Sequence, residues 1–347
     1  MKFFSITAAA LLFSPALGKF LSGVPWGTDN RWAYKLPKDS VSWYHHWEKG
    51  MIFQMPSSCE YVPTFWGPSK QGDWNMRKFE IATNNKIKSI LAFNEPDVPS
   101  QASMTPEQAV ALFMKELQPY AEKGYQVSSP QMVFNMDWLS RFMSQCHDAG
   151  CKISFMALHW YGAPTDMDKF TAWVDGVYQK FKLPIWITEY GLTSGSNPSD
   201  EQVMNFLRGT TEWIASKPYV QRAAWNGGYD ISAPPDAFAT PLNAFFVGNG
   251  DSYRSTANYW FNGLPNTGLI TLPSERAALA HANASAKPQH GHGHGHGKRD
   301  GLAKPVLYTA THMTQKNSQR GARTHDIQIT LRNRRDPFKS LTLYRLS

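Results

Sequence analysis

The stretch Leu183-Pro184-Ile185-Trp186-Ile187-Thr188-Glu189-Tyr190-Gly191 decides the reading of this chain, with its counterpart Ser89-Ile90-Leu91-Ala92-Phe93-Asn94-Glu95-Pro96-Asp97. Each is an apolar run of strand length that delivers a glutamate into a tight polar motif. Strands buried on both faces of a parallel sheet read as such near-continuous apolar runs. Two carboxylates facing one cleft are what glycosidic bond cleavage needs: one protonates the leaving oxygen, the other attacks or activates water. The glutamates lie 94 residues apart, close to three strand-helix units of roughly 30 residues in an eight-unit barrel of about 250. One such glutamate alone is more simply a helix cap or a rim ion pair. Two at this interval carry the argument.

Working outward, further short apolar or β-branched runs recur at a regular pitch. With the two above they occupy 23–27, 42–47, 61–67, 90–95, 126–130, 153–161, 185–189 and 221–226. Helical patterns lie between several of them. Thr105-Pro106-Glu107-Gln108 offers an N-cap, a proline at the first helical position and an acidic first turn. Residues 138–143 and 170–174 are others, and Ser199-Asp200-Glu201-Gln202 opens one running to about Ala215. Alternating strands and helices indicate a parallel α/β fold. Eight units over this length predict a single (β/α)8 TIM barrel spanning 19–272, followed by a disordered tail at 273–347.

The ends of the chain differ from its middle. Lys2, an apolar stretch over 3–17 and the small-residue site Ala16-Leu17-Gly18 read as a signal peptide at 1–18. The stretch is too short to span a bilayer and is broken by Ser14-Pro15, and no other run is long enough. The protein is therefore expected to be secreted, either extracellular or in the cell wall. The formal charge of +8 is uneven: from Lys298 onward there are 11 Lys+Arg and 3 Asp+Glu, so the totals of 35 and 27 leave 24 of each before it. The folded part is neutral, and the basic tail reads as a solvated extension with no nucleic-acid-binding fold. The tail also holds the sequon Asn283-Ala284-Ser285, His-Gly alternation over 290–297 and dibasic Lys298-Arg299. The alternation reads as a flexible linker ahead of a loose metal site. Of three cysteines, Cys146 and Cys151 have a spacing that allows a bridge, leaving Cys59 unpaired.

In a parallel barrel the active site lies at the carboxyl ends of the strands. By count, Glu95 ends the fourth strand and Glu189 the seventh. The other ends are aromatic: Trp26, Trp47, Trp66, His159-Trp160-Tyr161 and Trp225. Sugar rings present apolar C–H faces to such rings while their hydroxyls need polar partners. A single tryptophan is more often core than platform, so the substrate-binding candidates are Asn94, Trp66, His159, Tyr161 and Trp225. Tyr161 is expected to hydrogen-bond Glu189 and keep it ionised, and His159 to orient a hydroxyl. Adjacent His45 and His46 point to opposite faces of a strand, so no metal site is expected, and no cofactor either.

The ordered motifs Gly23-Val24-Pro25-Trp26-Gly27, Ser42-Trp43-Tyr44, Val62-Pro63-Thr64-Phe65-Trp66-Gly67, Phe93-Asn94-Glu95-Pro96-Asp97, Leu158-His159-Trp160-Tyr161-Gly162 and Trp186-Ile187-Thr188-Glu189-Tyr190-Gly191 resemble glycoside hydrolase family 128. That group has a glycosyl hydrolase catalytic core and includes fungal alkali-sensitive linkage proteins of the cell wall. The resemblance covers roughly 20–262. It implies a retaining endo-β-1,3-glucanase of the large (β/α)8 clan, acting on β-glucan, with Glu95 as acid/base and Glu189 as nucleophile; a monomer is expected. It further implies that Asn94 holds the 2-hydroxyl of the reacting sugar. Two alternatives stand beside it: a non-catalytic β-glucan-binding wall protein, which has no need of both glutamates, and a retaining glycosidase for another polysaccharide.

Overall fold

The computed structural model describes residues 20–262, except 28, 29, 38, 39 and 48, and three strands further on. Eight strands run in chain order: β1 (Leu21–Pro25), β2 (Trp43–His45), β3 (Glu60–Tyr61), β4 (Ser89–Ile90), β5 (Gln126–Met132), β6 (Phe155–Gly162), β7 (Ile185–Leu192) and β8 (Val220–Trp225). They join in the order 3-2-1-8-7-6-5-4, every pair parallel. The ring closes between β3 and β4. There Leu91 N–H donates to the Pro63 carbonyl at 2.9 Å, Phe65 N–H to Leu91 at 2.9 Å and Asn94 N–H to Trp66 at 2.8 Å. The fold is the expected barrel, and the eight runs fall on its strands or on their ladder extensions.

Helices α1 (Gln71–Thr83), α2 (Pro106–Glu116), α3 (Gln118–Glu122), α4 (Met136–Ala149), α5 (Met167–Phe181), α6 (Asp200–Ala215) and α7 (Ser255–Asn262) follow the strands from β3 onward. Among the described residues no α-helix follows β1 or β2. The β1–β2 link carries only a 3-10 segment at Asn30–Lys35, and the β2–β3 link is punctuated by Gly50 and Pro56. Thr105 and Ser199 begin α2 and α6 as complete capping boxes with Gln108 and Gln202. Gly150 ends α4 in the left-handed region at φ 78°, and the Cys146–Cys151 disulfide spans that turn. Cys59 is a buried free thiol.

Alternation along the strands sorts two cores. Trp43, Val62, Leu91, Phe155, Ala157, Trp186 and Ala224 form a cluster of their own inside the ring. Their neighbours Tyr44, Ile90, Met156, Leu158, Ile185, Ile187, Ala223 and Trp225 belong to the larger outer core, the one that takes in the helices. At the amino end of the ring Arg222 is a plug. Its guanidinium lies 3.9 Å from the Trp186 ring centre and pairs with Glu60 at 2.8 Å. The ring is therefore apolar below and free to be polar at its carboxyl mouth.

Beyond β8, β9 (Phe246–Val247) and β10 (Ser252–Tyr253) form an antiparallel ribbon. In the tail, where the sequence reading expects no regular structure, β11 (Tyr308–Thr314), β12 (Gln328–Asn333) and β13 (Asp336–Leu343) pair antiparallel in that order. Short alternations such as Ile329-Thr330-Leu331 have the strand period. The signal segment, the sequon and the His-Gly run lie outside the described residues.

Replacing Arg222 with Ala strands the Glu60 carboxylate and empties the plug. It is expected to lower unfolding stability by about 3 kcal/mol, measured by urea denaturation. An unchanged midpoint would assign the plug no structural role.

Candidate active site

Glu189 reaches the mouth through an irregularity in β7. Leu158 of β6 is opposite Ile187, but His159 is opposite Glu189, so β7 carries one extra residue. A matching slip separates β7 from β8 between Ile187 and Tyr190. Strict alternation from inward-facing Trp186 would turn Glu189 toward the helices. With the bulge, Thr188 and Glu189 both serve the interior, and Tyr190 returns outward to pack on Phe170 and Trp225. Glu95 arrives by different means. Its backbone is in the left-handed region at φ 46°, a conformation costing a non-glycine residue about 1 kcal/mol. Its N–H donates to the Gln131 carbonyl at 3.0 Å and its own carbonyl accepts from Val98 at 3.0 Å.

The two carboxylates meet over one imidazole. His159 Nδ1 lies 2.7 Å from Glu95 Oε1 and 3.6 Å from Glu189 Oε2, and one oxygen of each glutamate lies within 4.8 Å of the other. Tyr161 donates its hydroxyl to Glu189 Oε1 at 2.6 Å, and Trp47 donates Nε1–H to Oε2 at 2.9 Å. Asn226 in turn donates Nδ2–H to the Tyr161 oxygen. A Cβ at Gly27 would stand 2.4 Å from the Trp47 ring, so the glycine makes room for this donor. The trio Glu95, His159 and Glu189 has the spacing of a cation site. However, an indole N–H and a phenol O–H already address the Glu189 oxygens, which suits a charge-bearing nucleophile better than a chelator.

Burial pushes Glu189 above the usual carboxylate range, and the charge of Glu95 adds to this. His159, Tyr161 and Trp47 act in the opposite direction. Burial alone would depress His159, but the carboxylates of Glu189 and Glu95 outweigh it, and the ring is raised above 6.5. Tyr161 is raised well above 10, by burial first and by Glu189 next, so it keeps its proton and donates.

The cleft above them, about 310 Å³, is lined by Trp47, Trp66, Lys70, Asn94, Gln101 and Asp236 besides the glutamates. Asn94 Nδ2 donates to Gln101 at 3.2 Å, and the Lys70 ammonium sits 4.8 Å over the Trp66 ring. Of the candidates named from sequence, Asn94, Trp66 and Tyr161 are at this site with both glutamates. Two placements need correction. Trp225 is fully buried and donates to the Asn243 carbonyl at 2.9 Å, because alternation turns it outward while Ala224 and Asn226 face in. His159 is also fully buried, wedged between Glu95 and Gln131, and presents no surface to a sugar.

The sequence reading does not single out Trp47, Gln131, Asn226 or Phe238 as site residues. Period-two counting from inward-facing Trp43 and His45 would have found Trp47. Phe238, with 61% of its surface exposed, meets the Tyr161 ring edge-on at 5.3 Å on the segment after β8. No sequence pattern marks it.

The profile of the "glycosyl hydrolase catalytic core" family matches residues 23–259. The chain belongs to this family. It is a glycoside hydrolase by that membership, and both glutamates fall within the matched span. Alkali-sensitive linkage protein 1 of Schizosaccharomyces pombe is 29% identical over 257 residues, covering 72% of this chain and 43% of that protein. The chain thus spans less than half the length of that relative. A curdlan-specific exo-β-1,3-glucanase of glycoside hydrolase family 128 from Blastomyces gilchristii, solved with glucose, is similar at TM-score 0.57 and 29% identity, covering 71% of this chain and 99% of its own. An endo-β-1,3-glucanase of the same family from Amycolatopsis mediterranei, solved with laminaritriose, aligns at TM-score 0.58 and 27% identity, covering 69% and 98%.

Tyr161→Phe removes one donor to Glu189 and tests the donor's contribution. The predicted loss in kcat/KM is about 10- to 100-fold, the value of a hydrogen bond to a charged group. The carboxylate form of Glu189 is the one Tyr161 and Trp47 donate to, so activity that depends on it fades as pH falls through its pKa. Losing a donor raises that pKa further, and the acid limb of the profile should move to higher pH. An unmoved limb would separate Tyr161 from the ionisation of Glu189.

Proposed function

We propose that this chain is a secreted, retaining endo-β-1,3-glucanase acting on cell-wall glucan. The observation that carries the mechanism is the approach of the two carboxylates to within 4.8 Å around His159. Retaining enzymes hold the pair about 5 Å apart so that one can attack directly, whereas inverting enzymes leave about 6.5–9.5 Å for a water. Glu189, held by Trp47 and Tyr161, attacks the anomeric carbon while Glu95 protonates the departing oxygen. Glu95 then takes a proton from the water that releases the sugar. Asn94 lies beside Glu95 where a sugar hydroxyl would meet it. Trp66 lines the cleft beside the carboxylates, and Phe238 is exposed against the Tyr161 ring, aromatic surface that favours a glucan chain passing across the site.

The relatives that bind glucose and laminaritriose support a β-1,3-linked substrate. The disulfide supports an oxidising compartment, in keeping with a signal peptide at 1–18. No helix among the described residues is long and apolar enough to cross a membrane. The carboxylate pair also weighs against a purely glucan-binding wall protein: lying this close, two carboxylates cost stability that binding alone does not require.

The test is a panel of laminarin, curdlan, mannan, xylan and β-1,6-glucan, assayed with the wild type and with Glu189→Gln. The wild type should release reducing ends from the β-1,3-glucans with early loss of polymer length, and the variant should be slower by more than about 10³-fold. No release from any β-1,3-glucan, or wild-type turnover by the variant, would reject the proposal.

A further inference from the structure

Gln131 on β5 is fully buried and its side-chain amide has only one orientation consistent with its partners. Its Nε2 lies 2.9 Å from the carbonyl of Ala92, which can only accept, so the amide N–H must point there. The amide oxygen therefore faces the other way. It accepts from the Thr188 hydroxyl at 2.9 Å and sits 3.3 Å from His159 Nε2. An oxygen with no proton obliges Nε2 to be the N–H of the ring.

The consequence falls on Glu95. With Nε2 protonated, a neutral ring presents a lone pair at Nδ1, 2.7 Å from Glu95 Oε1. That contact holds only if a proton lies between the two atoms, on the carboxyl or on the ring. We propose that Gln131 is a positioning residue that fixes His159 as its Nε2–H form, so that His159 and Glu95 retain one shared proton for delivery to the leaving group. This rests on the glucanase reading above.

The charged and titratable groups around the ring are Glu95 and Asp97 following β4, Glu189 on β7 and His45 on β2. Before attack the negative charge of Glu189 holds the shared proton toward the imidazole. As a Glu189 oxygen pair forms the bond to the anomeric carbon, that charge disappears, and the proton is released toward Glu95. The glycosidic carbon–oxygen bond breaks with its electrons on oxygen, which takes the proton and leaves as a hydroxyl. In the second half the oxygen of the incoming water bonds the anomeric carbon as the bond to Glu189 breaks with its electrons on the carboxylate, and the proton that water loses returns to the pair.

Gln131→Leu permits a state the wild type forbids, in which a neutral ring donates Nδ1–H to a Glu95 carboxylate and leaves Nε2 bare. The pair then gives up its proton more easily. The alkaline limb of the kcat/KM profile should move to lower pH by about one unit, the size of one lost hydrogen bond to a charged group. KM should change little. A fall in kcat/KM with the limb in place, or no change at all, would overturn the proposal. A second measurement needs no variant and no turnover: nitrogen-15 spectroscopy of wild-type His159 should show Nε2 bonded to hydrogen on both sides of that limb. A bare Nε2 would overturn the Gln131 assignment while leaving the glucanase reading intact. Absence of turnover in the wild type would instead reject the glucanase reading.

Discussion

Two carboxylates whose oxygens come within 4.8 Å at the floor of the cleft repel, and His159 sits where it answers both. At an effective dielectric of about 20 the repulsion between unit charges at that distance is of order 3–4 kcal/mol. That is too much for a domain of ordinary stability to leave uncompensated. The imidazole beneath them, two donors on Glu189 and a proton held near Glu95 convert an unfavourable pair into two groups with different tasks. The difference comes from their surroundings: Glu189 is met by an indole and a phenol, and the imidazole lies nearer to Glu95 than to Glu189.

The barrel beneath is arranged to hold this cluster still. Trp43, Phe155 and Trp186 fill the lower interior, and Arg222 closes the amino end over them. Above that layer the inward positions become polar, with His45 bonded to the Thr188 carbonyl at 2.8 Å and Gln131 bridging Ala92, Thr188 and His159. Burial depresses His45 to about 3, so it stays neutral and adds no charge under the pair. Two of the local departures from regular geometry, the bulge in β7 and the left-handed backbone at Glu95, occur where a carboxylate is turned into the mouth. At these two points the surrounding ladder of hydrogen bonds over-determines the departure.

Much of this was legible in the chain. Apolar runs at a regular pitch announce the eight strands, and the capping signatures at Thr105 and Ser199 place two helices to the residue. Glu95, Glu189, Asn94, Trp66 and Tyr161 stand out because strand ends are where a barrel keeps its chemistry. What failed to show is physical as well. The bulge between Ile187 and Tyr190 leaves no mark in the sequence, yet it decides which way Glu189 points. Trp225 follows the simple alternation and so belongs to the outer core, although its position at a strand end made it look like a platform. His159 was found, but its task depends on what surrounds it: its position suggested a hydroxyl ligand, whereas its neighbours make it the partner of Glu95. Gln131 was invisible because an amide in a strand announces nothing until the carbonyl it must satisfy is located.

The most direct test of the central claim, that Glu189 attacks sugar while Glu95 handles the proton, is covalent trapping. An activated fluorosugar of a β-1,3-linked disaccharide would be incubated with the enzyme, and the digested protein read by mass spectrometry. The account predicts one glycosyl adduct on the peptide bearing Glu189, absent in Glu189→Gln. An adduct on Glu95, or turnover of the sugar that proceeds with inversion and leaves no adduct, would contradict it.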